Sequence, residues 1–114
     1  MKQTGKIDYI ELDGGELAST KRFYADAFGW GFQDYGPTYA GFEEAGIDGG
    51  FRADPKQPSA PPLVILYAER LEEAADKVVA AGGKISVPIF SFPGGRRFHF
   101  RDPAGNELAV WSET

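Results

Sequence analysis

The chain has 114 residues, no cysteine and a formal charge of −5, with a pI near 4.8. That length suits one domain with a modest core. The missing cysteines exclude disulfides, thiolate catalysis and Cys-ligated zinc, and the acidic balance disfavours nucleic acid as a partner. No apolar run approaches the roughly 20 residues of a membrane-spanning helix, and the polar opening Met1-Lys2-Gln3-Thr4-Gly5-Lys6 does not read as a signal peptide, so a cytoplasmic location is expected.

In chain order, Ile7 to Leu12 reads as a strand, Asp13-Gly14-Gly15 as a turn and Glu16 to Phe28 as a helix. Leu17, Thr20, Tyr24, Ala27 and Phe28 recur at helical spacing, and Gly29 stops the helix. Gly-punctuated strands follow around Trp30 to Tyr35, Tyr39 to Glu43 and Gly49 to Arg52. Residues 53–62 carry four prolines and form a linker, since proline cannot donate to a central ladder.

The pattern then restarts. Leu63 to Ala68 is a strand, and Leu71 to Ala81 is a helix with Leu71, Ala74, Ala75, Val78 and Ala81 on one stripe and Gly82-Gly83 at its end. Three strands follow at Lys84 to Pro88, Arg96 to Arg101 and Glu107 to Ser112. Leu17 and Leu71 open the two helices and Gly29 and Gly83 follow them at the same separation, which marks an internal repeat of a strand–helix–three-strand unit. The last two strands join through Asp102-Pro103-Ala104-Gly105-Asn106, whose Asp, Pro and Gly each suit a tight turn.

Alternation assigns faces. Ile10, Leu12, Val64, Leu66, Phe98, Phe100, Leu108 and Val110 should face the helices as core. Ile7, Tyr9, Glu11, Leu63, Ile65, Tyr67, Arg97, His99, Arg101, Glu107, Ala109 and Trp111 should face the other way. Sixteen aromatic residues exceed the need of so small a core, so some are expected to line a ligand cavity. Tyr9, Tyr39, Tyr67 and Trp111 form either a stacking surface for a planar ligand or ordinary filling of a barrel mouth. Alternation sends Arg96 and Arg97 to opposite faces, leaving Arg97 to grip a carboxylate or phosphate. The glycine-rich pieces lack the spacing of a dinucleotide or phosphate loop.

The C-terminal hairpin Gly94 to Trp111, together with Phe23-Tyr24-Ala25-Asp26-Ala27-Phe28-Gly29-Trp30, resembles the vicinal oxygen chelate superfamily, which includes glyoxalase I, bleomycin and fosfomycin resistance proteins and extradiol dioxygenases. The resemblance covers nearly the whole chain. It implies an α+β fold of two βαβββ modules in a single domain of residues 1–114, with module 1 at about 5–53, a linker at about 54–62 and module 2 at about 63–114. Their curved mixed sheets are expected to enclose a cavity, and the protein to pair as a homodimer through open sheet edges. The metal-ligand positions of the family carry over to Tyr9, Leu63, Ala109 and the neighbourhood of Gly49-Gly50-Phe51, none of which offers imidazole or carboxylate. The expected cofactor is therefore none, as in the drug-sequestering members.

His99 is the only histidine. In extradiol dioxygenases its position, three residues before the Asp of the turn, carries a substrate-directed tyrosine. It is either a proton-transfer group or a histidine bonded to Glu11 or Glu107 that stabilises the sheet. Glu11, Glu107 and His99 together would suit a displaced divalent metal, but Arg97 and Arg101 on the same face would pair with the carboxylates. The reading is a metal-independent, glyoxalase/bleomycin-resistance-like binder of a small aromatic or acidic molecule. The alternative is a lyase, isomerase or dioxygenase-type enzyme using His99 and Glu11 as acid and base, with or without that displaced metal.

Overall fold

In the computed structural model, which describes residues 2–114, the element order is β1 (Ile7–Asp13), α1 (Leu17–Phe28), β2 (Gly31–Asp34), β3 (Tyr39–Glu43), β4 (Gly49–Arg52), β5 (Leu63–Tyr67), α2 (Leu71–Ala80), β6 (Lys84–Phe92), β7 (Gly95–Arg101) and β8 (Glu107–Ser112). Two compact units form, a first of Tyr9–Pro62 and a second of residues 2–8 with Leu63–Thr114. Besides the expected boundary at the end of the linker, a division falls inside β1, all of which the sequence assigns to module 1. The cause is backbone pairing: Gly5 N–H donates to the Tyr67 carbonyl and Tyr67 N–H to the Lys6 carbonyl, which ties the start of the chain to β5.

Each unit has the same topology. In the first, strands lie in the order β2-β3-β4-β1, antiparallel except for the parallel pair β4 and β1. In the second the order is β6-β7-β8-β5, again with only the last pair, β8 and β5, parallel. A parallel pair needs a long crossover, and in each unit the helix and two hairpin strands supply it. These are the two βαβββ units of an α+β fold.

Helix α1 begins at Glu16, whose carboxylate accepts from the backbone N–H of Ala18 and Ser19, and ends at Gly29, whose φ of 76° suits a residue without Cβ. Its Tyr24 ring stacks on Trp30 at 4.6 Å and leans on Phe51 at 5.3 Å, and Phe51 also meets Phe42. These rings are the core of the first unit. In the second unit Leu71 of α2 is fully buried against Phe98, Val110 and Ala68, with Leu66, Ala74, Ala75, Val78 and Phe100 packed around them. Leu66, Phe98, Phe100 and Val110 thus lie on the helix side, as alternation requires. The opposite face is less open at its centre than alternation alone suggests, for Ile65, Tyr67 and Ala109 are all buried.

One strand differs from its expected length. Lys84 begins a strand that runs past Pro88 to Phe92, because two register shifts, between Ile85 and Val87 and between Val87 and Phe90, take Pro88 out of the ladder with β7. Each shift inserts one extra residue into an edge strand, where a missing N–H is tolerated. The Asp102 turn closes as expected. The Asp102 carboxylate accepts from Asn106 N–H and Nδ2 at 2.9 Å each, and Gly105 sits at a φ of 91°. Among the described residues no helix is long and apolar enough to cross a membrane.

Arg96 grips the first turn of α2, its guanidinium reaching both oxygens of Glu72 at 2.5 and 3.1 Å. This bidentate hydrogen bonding lowers the Glu72 carboxyl to about 2. A carboxyl depressed in the folded state adds stability above its ordinary value and loses it as pH falls towards the folded one. Glu72→Gln should therefore be less stable than the parent at neutral pH, with the gap closing as pH falls from about 4.5 towards 2. Urea unfolding at a series of pH values measures this, and a pH-independent gap would contradict it.

Candidate functional site

Each unit presents the strand face opposite its helix, and each face gathers polar and aromatic side chains. In the first unit, Tyr9 and Glu11 stand on β1, Tyr39 on β3 and Arg52 on β4. The register pairs Glu11 with Gly50, Gly50 with Gly41, and Tyr39 with Arg52. The Tyr9 and Tyr39 hydroxyls are hydrogen-bonded at 2.5 Å. Arg52 Nε lies 4.0 Å from Glu11 Oε1, whose side chain is only 11% exposed. Burial raises the pKa of both phenols, so both keep their protons at neutral pH.

On the second unit, alternation brings Tyr67 of β5, Arg97 and His99 of β7, and Ala109 and Trp111 of β8 to one face, with Arg97 opposite Trp111 and His99 opposite Ala109. Edge strand β6 adds Phe90 and Phe92. The Arg97 guanidinium carbon lies 5.4 Å from the centre of the Phe90 ring and 5.8 Å from that of Phe92. Phe92 is 6.3 Å from Trp111, and Trp111 meets Tyr67 edge-on at 5.4 Å. The Trp111 indole N–H donates to Asp8 at 2.9 Å, and Lys2 Nζ lies 5.6 Å from the indole ring. Burial and the neighbouring Glu113 carboxylate, which accepts from its hydroxyl, raise the pKa of Tyr67.

Glu107 is the hub of a separate cluster. Its Oε2 accepts from Ser86 Oγ at 3.1 Å and lies 3.2 Å from His99 Nδ1, while Oε1 lies 3.4 Å from an Arg101 nitrogen. Glu107, one of the two carboxylates weighed for His99, is thus a hydrogen-bond partner of the imidazole. Leu63 opens β5 as a half-buried apolar side chain.

Arg52, Ser86, Phe90, Phe92, Lys2 and Asp8 escape a reading by alternation. Ending β6 at Pro88 removes Phe90 and Phe92, although their own alternation beyond the proline is a visible signal. Lys2 and Asp8 reach Trp111 only through the folding-back of the first strand.

The positions that the family resemblance assigns to metal ligands do not fit a divalent cation. The Tyr9 hydroxyl is bonded to Tyr39, Leu63 has no donor, Ala109 is a fully buried methyl group, and residues 49–51 offer two glycines and a phenylalanine. Among the described residues, no three side chains of His, Cys, Asp or Glu gather into a possible cation site.

A family model described as the Glyoxalase/Bleomycin resistance protein/Dioxygenase superfamily matches residues 6–110. Two curated mycobacterial proteins, each named "Putative glyoxylase CFP32", from Mycobacterium tuberculosis and Mycobacterium bovis, are 29% identical over 119 residues, covering 94% of this chain and 45% of theirs. The chain thus spans about half the length of the curated relatives it matches. Among solved structures, an NAD-dependent benzaldehyde dehydrogenase from Legionella pneumophila superimposes with a TM-score of 0.74 at 16% identity, over 91% of this chain and 96% of that one. The Mn(II)-bound glyoxalase from Novosphingobium aromaticivorans gives 0.69 at 22%, over 99% of this chain and 40% of that one. At such identities the likeness is one of fold. The family model covers nearly the whole chain and the two βαβββ units supply the matching architecture: the chain belongs to the glyoxalase/bleomycin resistance protein/dioxygenase superfamily.

Proposed function

We propose that this protein binds a small aromatic or acidic molecule, without a metal, on the strand faces its helices leave uncovered. The observation that carries the reading is the stacking of Arg97 on Phe90 and Phe92 beside Trp111 and Tyr67. A guanidinium is the side chain whose charge and planar shape best match a carboxylate, and the rings beside it offer flat apolar area to a ligand's body. Metal independence is supported by the donor chemistry of Tyr9, Leu63 and Ala109, and no step of the reading passes through a cation.

A second reading, acid–base catalysis, is favoured by one observation: Glu107 holds His99 Nδ1, the arrangement that orients an imidazole for proton transfer. Ser86 and Arg101 also engage that carboxylate, and such a cluster equally well braces the hairpin.

Three measurements decide between these. Elemental analysis of the purified protein should find far less than one equivalent of zinc, nickel, iron or manganese per chain; one equivalent that is lost in Glu11→Gln or Glu107→Gln would overturn metal independence. Benzoate, titrated against tryptophan fluorescence, should bind the parent and bind Arg97→Ala at least about tenfold more weakly, equivalent to about 1.4 kcal/mol. Equal affinities would remove Arg97 from the site. Solvent deuterium entry into hydroxyacetone, followed by NMR, should be no faster with the protein than without it. Catalysed exchange that falls about a hundredfold in His99→Gln at unchanged melting temperature would establish the enzyme instead.

A further inference from the structure

A helix is about 10 Å across with its side chains, whereas the outer backbones of four strands stand roughly 14 Å apart, so one helix cannot cover a four-stranded sheet completely. In the second unit α2 packs over β6, β7 and β8, and the helix-side residues of β5 lie beyond its flank. A groove of about 570 Å³ opens there, and every residue lining it belongs to this unit. Its floor is Leu66 of β5, Phe100 of β7 and Val110 of β8, and Ala74 and Val78 of α2 form its helix wall. All of these except Val110 are only half-buried, although they stand on the core side. Thr4 and Gly5 complete the lining from the N-terminal segment. Gly5 N–H donates to the Tyr67 carbonyl at 2.8 Å, and Glu69 N–H to Thr4 Oγ1 at 3.0 Å, which holds that segment beside β5.

The rim is charged. Arg70, Glu73 and Lys77 follow the same stripe as Ala74 and Val78, which runs beside the floor for two helical turns, about 10 Å. Glu73 is shared, with one oxygen 3.8 Å from Arg70 and the other 3.3 Å from Lys77. Because Arg70 stays beside that carboxylate, Lys77 can turn to another anion without leaving Glu73 alone, and an exchange between exposed partners costs little. Glu69, the other carboxylate at the rim, precedes the helix, two turns away from Lys77.

We propose that this groove binds an aliphatic carboxylate, with Lys77 holding the head group and the chain lying over Val78, Phe100 and Leu66. An unbranched chain suits a trough two turns long whose lining is aliphatic save for one ring, and the volume is that of a small-molecule site. The groove lies on the helix side of the sheet and is separate from the uncovered strand faces.

Hexanoate, octanoate and octan-1-ol are suitable probes, titrated against the isotopically labelled full chain and read from backbone amide shifts. Octanoate should move Leu66, Ala74, Val78 and Phe100, and should bind about tenfold more tightly than hexanoate, as two further buried methylenes require. It should also bind several-fold more tightly than octan-1-ol. Lys77→Gln, a change at an exposed position, should erase that difference by weakening octanoate alone, and Ala74→Leu, which fills the trough, should weaken both. Equal binding of hexanoate and octanoate, or octanoate shifts confined to Arg97 and Trp111, would overturn the site. An octanoate preference over octan-1-ol that persists unchanged in Lys77→Gln would overturn the placement of the head group. Shifts of the groove residues that follow protein concentration and ignore octanoate would make a second copy of the chain the occupant and overturn the proposal. Benzoate shifts on the strand faces answer a different question, so either site can fail without the other.

Discussion

Covering one face of each four-stranded sheet with a single helix is the constraint from which the rest of the molecule follows. Tyr24 and Leu71 plug their helices onto Phe51 and Phe98, and strand alternation then commits every second residue to the far side. In a core this small, apolar side chains are consumed by the helix side first. Beside the buried Ile65 and Ala109, the far side therefore carries many polar and aromatic side chains: Tyr9, Glu11, Tyr39 and Arg52 in one unit, and Tyr67, Phe90, Phe92, Arg97 and Trp111 in the other. The same constraint explains the glycines at 49 and 50. A Cβ on Gly49 would run into the Phe42 ring and the Ile10 carbonyl on the helix side, and one on Gly50 would meet Tyr39 on the other.

Much of this was legible in the sequence because it is local. The turn at Asp102 needs Asp, Pro and Gly in order, the helices need their leucine and alanine stripes, and the two units repeat those signals at one separation. Arg96 and Arg97 are split by period 2 alone, and the structure sends one to Glu72 and the other to the aromatic ledge. Partners across strands were not legible to the same degree. That His99 meets Glu107 depends on β8 lying beside β7 with His99 opposite Ala109, a register that the sequence pattern alone does not fix. Proline was the other source of error. It marks a strand end in most contexts, yet two one-residue insertions let β6 continue, so Phe90 and Phe92 were overlooked. The close approach of Tyr39 to Gly50 depends on an absent side chain, a signal that no pattern of present ones contains.

The two faces differ in kind. On the second unit Glu107 gathers Ser86, His99 and Arg101, and Asp8 accepts from the Trp111 indole. Arg97 lies over two ring faces, whose attraction to a cation falls off gently with position. On the first unit the Tyr9 and Tyr39 hydroxyls share a directional hydrogen bond in a half-buried setting, where a misplaced partner is costly. A superfamily that keeps its architecture while changing its chemistry has room for both, since neither face carries the helix-side packing.

The irregular edge of β6 bears on how this protein survives at high concentration. A nine-residue strand at the margin of a sheet is a template on which another chain can crystallise its own backbone, and growth by such addition is how fibrils lengthen. Pro88 removes one donor from that template, and each inserted residue adds local twist, so a straight incoming strand cannot stay in step along its length. The same two insertions that bring Phe90 and Phe92 to the aromatic ledge thus make the strand that carries them a poor seed for self-association.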